Sequence, residues 1–242
     1  MKDEHSISVH NLTKKFGEFT AVNEISFTVK KGEIFGFLGA NGAGKTTAMK
    51  MLIGISKPTS GQAEVAGYDV YNDTEKIKKS IGYMSQKFAL YDDLSIRENA
   101  RFFGGIYGLS KKQIKEKTTA FIQELGIADI ADNLVGSLPL GWKQKLAFSV
   151  ALLHEPKIVF LDEPTGGVDP ITRRQFWEMI YKQANKGTTL FVTTHYMDEA
   201  EYCDRVSIMV NGKIEALDTP DALRKRFHAD TMNEVFLKLA RG

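Results

Sequence analysis

The sequence predicts an α/β fold with a mainly parallel core sheet, a small antiparallel β lobe and a helical insertion, and three observations carry that prediction. Residues Gly39-Ala40-Asn41-Gly42-Ala43-Gly44-Lys45-Thr46-Thr47 match the P-loop pattern G-x-x-x-x-G-K-S/T, between an apolar run at 34–38 and a helical pattern at 46–52. Further short apolar runs at 158–161, 189–193 and 206–210 lack strict polar alternation, as strands buried on both faces do. Between Gln86 and residue 138 strand signals vanish and helical periodicity replaces them.

Taken in order, residues 7–11 and 21–29 alternate or cluster apolar side chains like two short antiparallel strands, with the turn-prone Lys14-Lys15-Phe16-Gly17-Glu18 between them. The 34–38 strand leads into the glycine-rich loop and the 46–52 helix. Residues 95–107 and 111–125 read as amphipathic helices joined by Gly108-Leu109-Ser110. A helix at 140–153 ends before Pro156, which cannot continue it. Helical patterns separate the remaining strands, so the active loops fall at the carboxyl ends of a parallel sheet. Two closing helices follow at 221–227 and 231–240, the second with Val235, Phe236 and Leu239 at helical spacing. The expected organisation is one domain: 1–86 and 139–242 form a core with its β lobe, 87–138 a helical subdomain, and 220–242 the closing helices.

With 242 residues, 43% of them hydrophobic, the chain can bury one substantial core. A net charge of +2 from 32 basic and 30 acidic residues, without a long basic block, argues against nucleic acid as a partner. The single cysteine, Cys203, excludes an internal disulfide framework, fits a reducing compartment and reads as a packing residue. The charged start Met1-Lys2-Asp3-Glu4-His5-Ser6 lacks the apolar stretch of a secretory signal. The best apolar run, at 146–153, is far shorter than the roughly 18 residues of a membrane span.

Each P-loop residue type has a separate physical task. The glycines let backbone N–H groups turn inward on a phosphate, Lys45 reaches the β- and γ-phosphates, and the Thr46 hydroxyl can ligate Mg²⁺. At the end of the 158–161 strand stand Asp162 and Glu163. Beside a P-loop, the first carboxylate can hold Mg²⁺ and the second can orient or deprotonate an attacking water.

Over nearly its whole length the chain resembles the nucleotide-binding subunit of an ATP-binding cassette (ABC) transporter. The fold this implies is a P-loop NTPase of the ABC ATPase type. The resemblance implies that Phe16 stacks on adenine, with core packing as the alternative, and that Gln86, in Tyr83-Met84-Ser85-Gln86, reaches both Mg²⁺ and the attacking water. It implies that Gly166-Gly167-Val168-Asp169 is the D-loop that meets its counterpart across a dimer, and that His195 contacts the γ-phosphate. ATP and Mg²⁺ are the expected ligands, and Glu163, His195 and Gln86 the expected catalytic group.

One segment departs from the family. Where the family usually has Leu-Ser-Gly-Gly-Gln, this chain has Leu138-Pro139-Leu140-Gly141-Trp142, followed by Lys143-Gln144. In the family the segment closes on ATP held by the opposite subunit, and Pro139 supplies neither the hydroxyl nor the N–H. A proline does suit the first turn of a helix, so the helix dipole and the Gly141 amide remain available to an anion. A subclass of exporter ATPases carries a similar variant, which favours a homodimer over a heterodimer.

The stretches 194–201 and 232–237 resemble ATPases of multidrug-type exporters. This implies a motor on the cytoplasmic face of the plasma (inner) membrane, paired with a second cassette and a multi-span membrane subunit. Phe88, Leu90 and Tyr91, together with Leu94 and Ile96, are candidates for docking that subunit or for the core of the helical subdomain. An importer ATPase, a soluble non-transport ATPase and an ATP-gated switch are the other readings. A single P-loop and the lack of sustained heptads count against translation and repair ATPases, and the presence of Glu163 and His195 against a non-hydrolysing module.

Overall fold

The computed structural model describes residues 4–86 and 90–241. Two long strands come first, β1 (His5–Phe16) and β2 (Phe19–Lys30), followed by β3 (Ile34–Leu38), α1 (Lys45–Leu52), β4 (Ser60–Val65), β5 (Tyr68–Asp69), α2 (Thr74–Ser80) and β6 (Ile81–Met84). Helices α3 (Ile96–Ile106), α4 (Lys111–Leu125) and α5 (Leu140–Ala151) come next. The chain continues with β7 (Ile158–Asp162), α6 (Pro170–Ala184), β8 (Thr189–Thr194), β9 (Arg205–Val210), β10 (Lys213–Asp218), α7 (Pro220–Phe227) and α8 (Met232–Arg241).

A six-stranded sheet in the order β10-β9-β3-β8-β7-β6 forms the core, parallel throughout except for the antiparallel edge strand β10. A four-stranded antiparallel sheet, β2-β1-β4-β5, packs beside it. The core strands alternate between two apolar clusters, which is why their sequences show no polar alternation. Phe35, Phe37, Phe160 and Phe191 point to the cluster shared with the antiparallel sheet and α1, while Leu38, Val159, Leu161, Leu190 and Val192 point to the helices on the other side. Phe191 lies 5.2 Å from Phe160 and 5.3 Å from Phe37 between ring centroids, contacts worth roughly 0.5–1.5 kcal/mol each beyond area burial.

The first hairpin is longer than the sequence suggests. The segment Lys14-Lys15-Phe16 belongs to β1, and the turn is only Gly17-Glu18, with Gly17 at φ 59°. Pairing keeps these residues extended, Lys14 opposite Val22 and Phe16 opposite Phe19. Irregular register near Asn11, at φ 47°, accompanies the break in apolar alternation. Strands β4, β5, β6 and β10 were not separately legible.

In the helical stretch the predicted ends hold to within a residue because capping chemistry fixes them. The Ser95 hydroxyl accepts from the Glu98 N–H while the Glu98 carboxylate accepts from the Ser95 N–H, and Ser110 and Gln113 repeat the arrangement on α4. Gly126 ends α4 in the left-handed region at φ 66°. Helix α5 stops at Ala151, short of the predicted 153. Cys203 is buried in the core, where burial foremost, then the fields of Glu199, Asp204 and Glu33, push its thiol up; such a thiol stays protonated and inert. Among the described residues no helix is long and apolar enough to cross a membrane.

Candidate active site

Strand β3 ends where the chain must turn sharply, and the glycines of 39–44 permit it. Gly42 lies at φ 83° and Gly44 at φ 105°, and a Cβ on Gly44 would sit 2.4 Å from the Ala21 carbonyl oxygen. Gly39, Ala40, Asn41, Gly42, Ala43 and Gly44 thus wrap the N-terminus of α1, whose first residues are Lys45, Thr46 and Thr47. Lys45 is only 4% exposed. Its ammonium donates to the carbonyls of Gly39 at 2.8 Å and Ala40 at 3.1 Å and lies 3.6 Å from Glu163 Oε1. Burial lowers its pKa, against the opposing pull of Glu163 and Asp162.

The two acids divide the end of β7 between them. Asp162 is the last residue of the strand, 3% exposed, and Oδ1 accepts from Thr193 Oγ1 at 2.6 Å, with Thr46 Oγ1 at 3.5 Å. Desolvation raises its pKa, the hydrogen bond from Thr193 opposes that, and repulsion from Glu163 adds to it. Glu163 takes the left-handed conformation at φ 49°, and its N–H is shared between the carbonyl and hydroxyl oxygens of Thr193, each at 3.1 Å. The turn aims its carboxylate away from Asp162's partners and toward the P-loop lysine. Gln86 Nε2 donates to Glu163 Oε2 at 2.8 Å. His195 Nδ1 lies 3.1 Å from the same oxygen, within ion-pair range but outside hydrogen-bond alignment. One carboxylate is therefore faced by Lys45, Gln86 and His195, brought together from four separate strand ends.

Other expected site residues are placed less uniformly. Phe16 is 55% exposed at the tip of the first hairpin, with Lys14 Nζ 5.1 Å above its ring, so core packing is not its role. Pro139 is the N-cap residue of α5 rather than a residue of its first turn, and its carbonyl accepts from the N–H groups of Trp142 and Lys143. Leu138 is buried, which removes it from the surface expected to face a second cassette, whereas Leu140 is exposed. Leu140 Cδ2 would meet a Cβ on Gly167 at 3.4 Å, and Gln144 donates to the Gly166 carbonyl at 3.0 Å, so this segment already rests on the 166–169 loop. Trp142 is partly buried under Lys145, whose ammonium sits 4.7 Å from the ring centroid. Asp169 caps α6, accepting from the N–H groups of Ile171 and Thr172 and from the Thr172 hydroxyl.

The docking residues separate sharply. Leu90 and Ile96 belong to the apolar core, the second of the two roles expected for them, so Leu90 is not a surface docking residue, while Leu94 is half-buried. Tyr91 is exposed, in edge contact with Phe102 at 4.9 Å. Phe88 lies outside the described residues. Asn99, unremarkable in the sequence, holds the segment in place: its side chain accepts from the Tyr91 N–H and donates to the carbonyls of Tyr91, Leu94 and Ser95.

A family profile described as "ABC transporter" matches residues 22–166. The chain belongs to the ABC transporter family. It is 49% identical over 241 residues to the "Probable multidrug ABC transporter ATP-binding protein YbhF" of Escherichia coli (strain K12), covering 98% of this chain and 42% of that protein. To the "Linearmycin resistance ATP-binding protein LnrL" of Bacillus subtilis (strain 168) it is 36% identical over 245 residues, 98% of this chain and 79% of that protein. The chain thus spans less than half the length of the Escherichia coli relative. The solved "Structure of ATP binding subunit of ABC transporter" superposes with a TM-score of 0.86 at 28% identity, over 96% of this chain and 98% of that one.

As an ABC transporter ATP-binding domain, the chain carries a donor set that fits Mg²⁺. Thr46 Oγ1 and Asp162 Oδ1 are adjacent oxygens, and among the described residues no group of three or more His, Cys, Asp or Glu side chains could hold a metal alone. A hard cation with few protein ligands completes its shell with phosphate oxygens and water. Thr193, which anchors both Asp162 and Glu163, escaped the sequence reading; the two threonines before His195 were its only signal. The exposed Phe16 ring predicts that Phe16→Ala lowers ATP affinity roughly 2- to 10-fold without loss of stability. A fluorescent-nucleotide titration measures this, and intact affinity would give the ring another role.

Proposed function

We propose that this chain is the ATP-hydrolysing motor of an exporter, closing with a second cassette around two ATP molecules and driving a separate membrane subunit. The observation that carries the reading is the Glu163 carboxylate, faced by Lys45, Gln86 and His195 beside the P-loop. Relatives named for multidrug transport and linearmycin resistance support export as the direction.

In this reading the inward N–H groups of 39–47 and the Lys45 ammonium hold the triphosphate, Phe16 stacks on adenine, and Thr46, Asp162 and Gln86 hold Mg²⁺. The ion, when bound, neutralises phosphate charge. Glu163 accepts a proton from the attacking water at the carboxylate that Gln86 and His195 orient, and His195 donates to the γ-phosphate. Pro139, Leu140, Gly141, Trp142 and Asp169 face the nucleotide of the second copy. In this reading Tyr91 meets the membrane subunit, and the chain works on the cytoplasmic face of the membrane. A homodimer is the favoured assembly.

Tagged Glu163→Gln chain, purified with ATP from detergent-solubilised native membranes and analysed by mass spectrometry, should bring a multi-span membrane protein with it. A soluble complex or ribosomes in its place would sink the transport reading. The signature makes a second prediction. Pro139→Ser with Leu140→Gly restores a hydroxyl and an N–H at the mouth of α5 and should raise basal ATPase activity, by up to the roughly 100-fold that one oxyanion-type donor is worth. Unchanged phosphate release would remove the missing donor as the explanation of that segment.

A further inference from the structure

Glu199 is fully buried in the 3-10 turn Met197–Tyr202, just after His195, and the reading above gives it no task. A buried carboxylate is costly unless it is paired and hydrogen-bonded, so its surroundings need a reason. Oε1 accepts from the hydroxyl of Thr165, itself buried, in the loop between β7 and α6. Arg173, in the first turns of α6, holds its Nε 3.6 Å from the same oxygen. Among the described residues, neither that Nε nor Glu199 Oε2 has a hydrogen-bond partner. A donor and an acceptor group therefore face each other about 0.4 Å beyond hydrogen-bond range.

The same guanidinium extends the connection to the site. It lies 4.3 Å over the ring of Tyr196, and that ring packs on the His195 imidazole at 4.2 Å between centroids. The imidazole in turn sits 3.1 Å from Glu163 without hydrogen-bond alignment. Three segments thus meet at Glu199: the loop leading to Asp169, the start of the helix that Asp169 caps, and the turn that follows His195.

We propose that Glu199 is a positioning residue for His195, acting through Arg173 and Tyr196 and anchored on Thr165. The inference rests on the ATPase reading and deepens it by naming how the 164–169 loop communicates with the imidazole. A small shift of that loop and of α6 brings Arg173 Nε onto Glu199, a charge-assisted bond that a planar guanidinium makes with little further ordering. The stacked Tyr196 ring moves with it, and the imidazole rotates relative to Glu163. Contact by a second cassette at Asp169 would be one source of that shift.

The test uses the full chain with labelled histidine, whose other imidazoles serve as internal references. Glu199→Gln keeps the size and an acceptor for Thr165 but removes the charge that draws Arg173. It should move the His195 ring resonances while those of His10, His154 and His228 stay in place, and lower kcat roughly tenfold at unchanged KM for ATP. Arg173→Lys, at a partly exposed position, should displace the same signal, and the double variant should do no more than either alone. In a His195→Ala background Glu199→Gln should remove no further activity. An unmoved His195 signal, displacement spread over every histidine with a lowered melting temperature, or an additive loss in the His195→Ala background would each overturn the proposal. The spectroscopic readout needs no turnover. A wild-type chain that hydrolyses nothing yet shows the His195-specific displacement would strike the ATPase reading alone.

Discussion

Glu163→Gln should abolish ATP turnover while leaving ATP bound and the closed dimer populated. The side chain is almost fully enclosed, and its place is set by backbone: the residue follows β7 at φ 49° with its N–H bound to Thr193. Glutamine fits that position, since it keeps the length and one oxygen that can accept from Gln86. It loses the ability to take a proton, which for a positioned general base is worth roughly 10²- to 10⁴-fold. It also removes the negative charge that holds the Lys45 ammonium in the free protein, so the lysine becomes more available to phosphate. Loss of hydrolysis together with retained binding is what accumulates an ATP-closed pair. Steady-state phosphate release and gel filtration with ATP read the two halves separately. A variant that still turns over and runs as a monomer would contradict the assignment of the base.

The parts of the fold that the sequence shows are those whose physics is local. Strands β3, β7 and β8 are legible because Ile34–Leu38, Ile158–Asp162 and Thr189–Thr194 are wholly buried, feeding two cores from alternate residues. Helices α3 and α4 are legible because Ser95 with Glu98 and Ser110 with Gln113 write their starts in adjacent residues. Strand β4, Ser60–Val65, has only Ala63 and Val65 buried, and its extended shape comes from pairing with β1, a partner the sequence does not name. The same limit separates Leu90 from Tyr91: both are apolar neighbours in one segment, and only tertiary packing decides that one is core and the other surface.

For the site, the P-loop pattern nominates Lys45 and two acids at a strand end nominate Asp162 and Glu163, whereas Gln86 and His195 are expected only from the family resemblance. The convergence of Lys45, Gln86 and His195 on the Glu163 carboxylate depends on the strand order β3-β8-β7-β6, which sets the ends of those strands side by side. Thr165, Arg173 and Glu199 could not be nominated. In the sequence they read as one hydroxyl and two ordinary charges of a polar helix and turn, and only the burial of Glu199 reveals a connection. Asp169 gives the opposite lesson. A residue expected to face a second chain also has a complete local task at the start of α6, so its removal would disturb the helix as well as the dimer.

Lys45→Ala should lower ATP affinity roughly 10- to 100-fold, the range of one lost charge-assisted hydrogen bond to phosphate. The free protein shows why the lysine is poised for an anion. Its ammonium is held by two loop carbonyls and a carboxylate in a buried pocket, and burial outweighs the acids in setting its pKa below that of a free lysine. An arriving phosphate restores the preference for the charged form. The bound state therefore holds more protons than the free state around that lowered pKa, and linkage requires affinity to fall as pH rises through it. Alanine loses both the ammonium and this part of the pH dependence, and leaves Asp162 and Glu163 to repel the nucleotide unopposed. Titration of a fluorescent ATP analogue across pH, with both chains, measures the affinity and its slope together. Equal affinity in the two would end the assignment of Lys45 to phosphate, while a weaker but equally pH-dependent variant would place the titrating group elsewhere in the pocket.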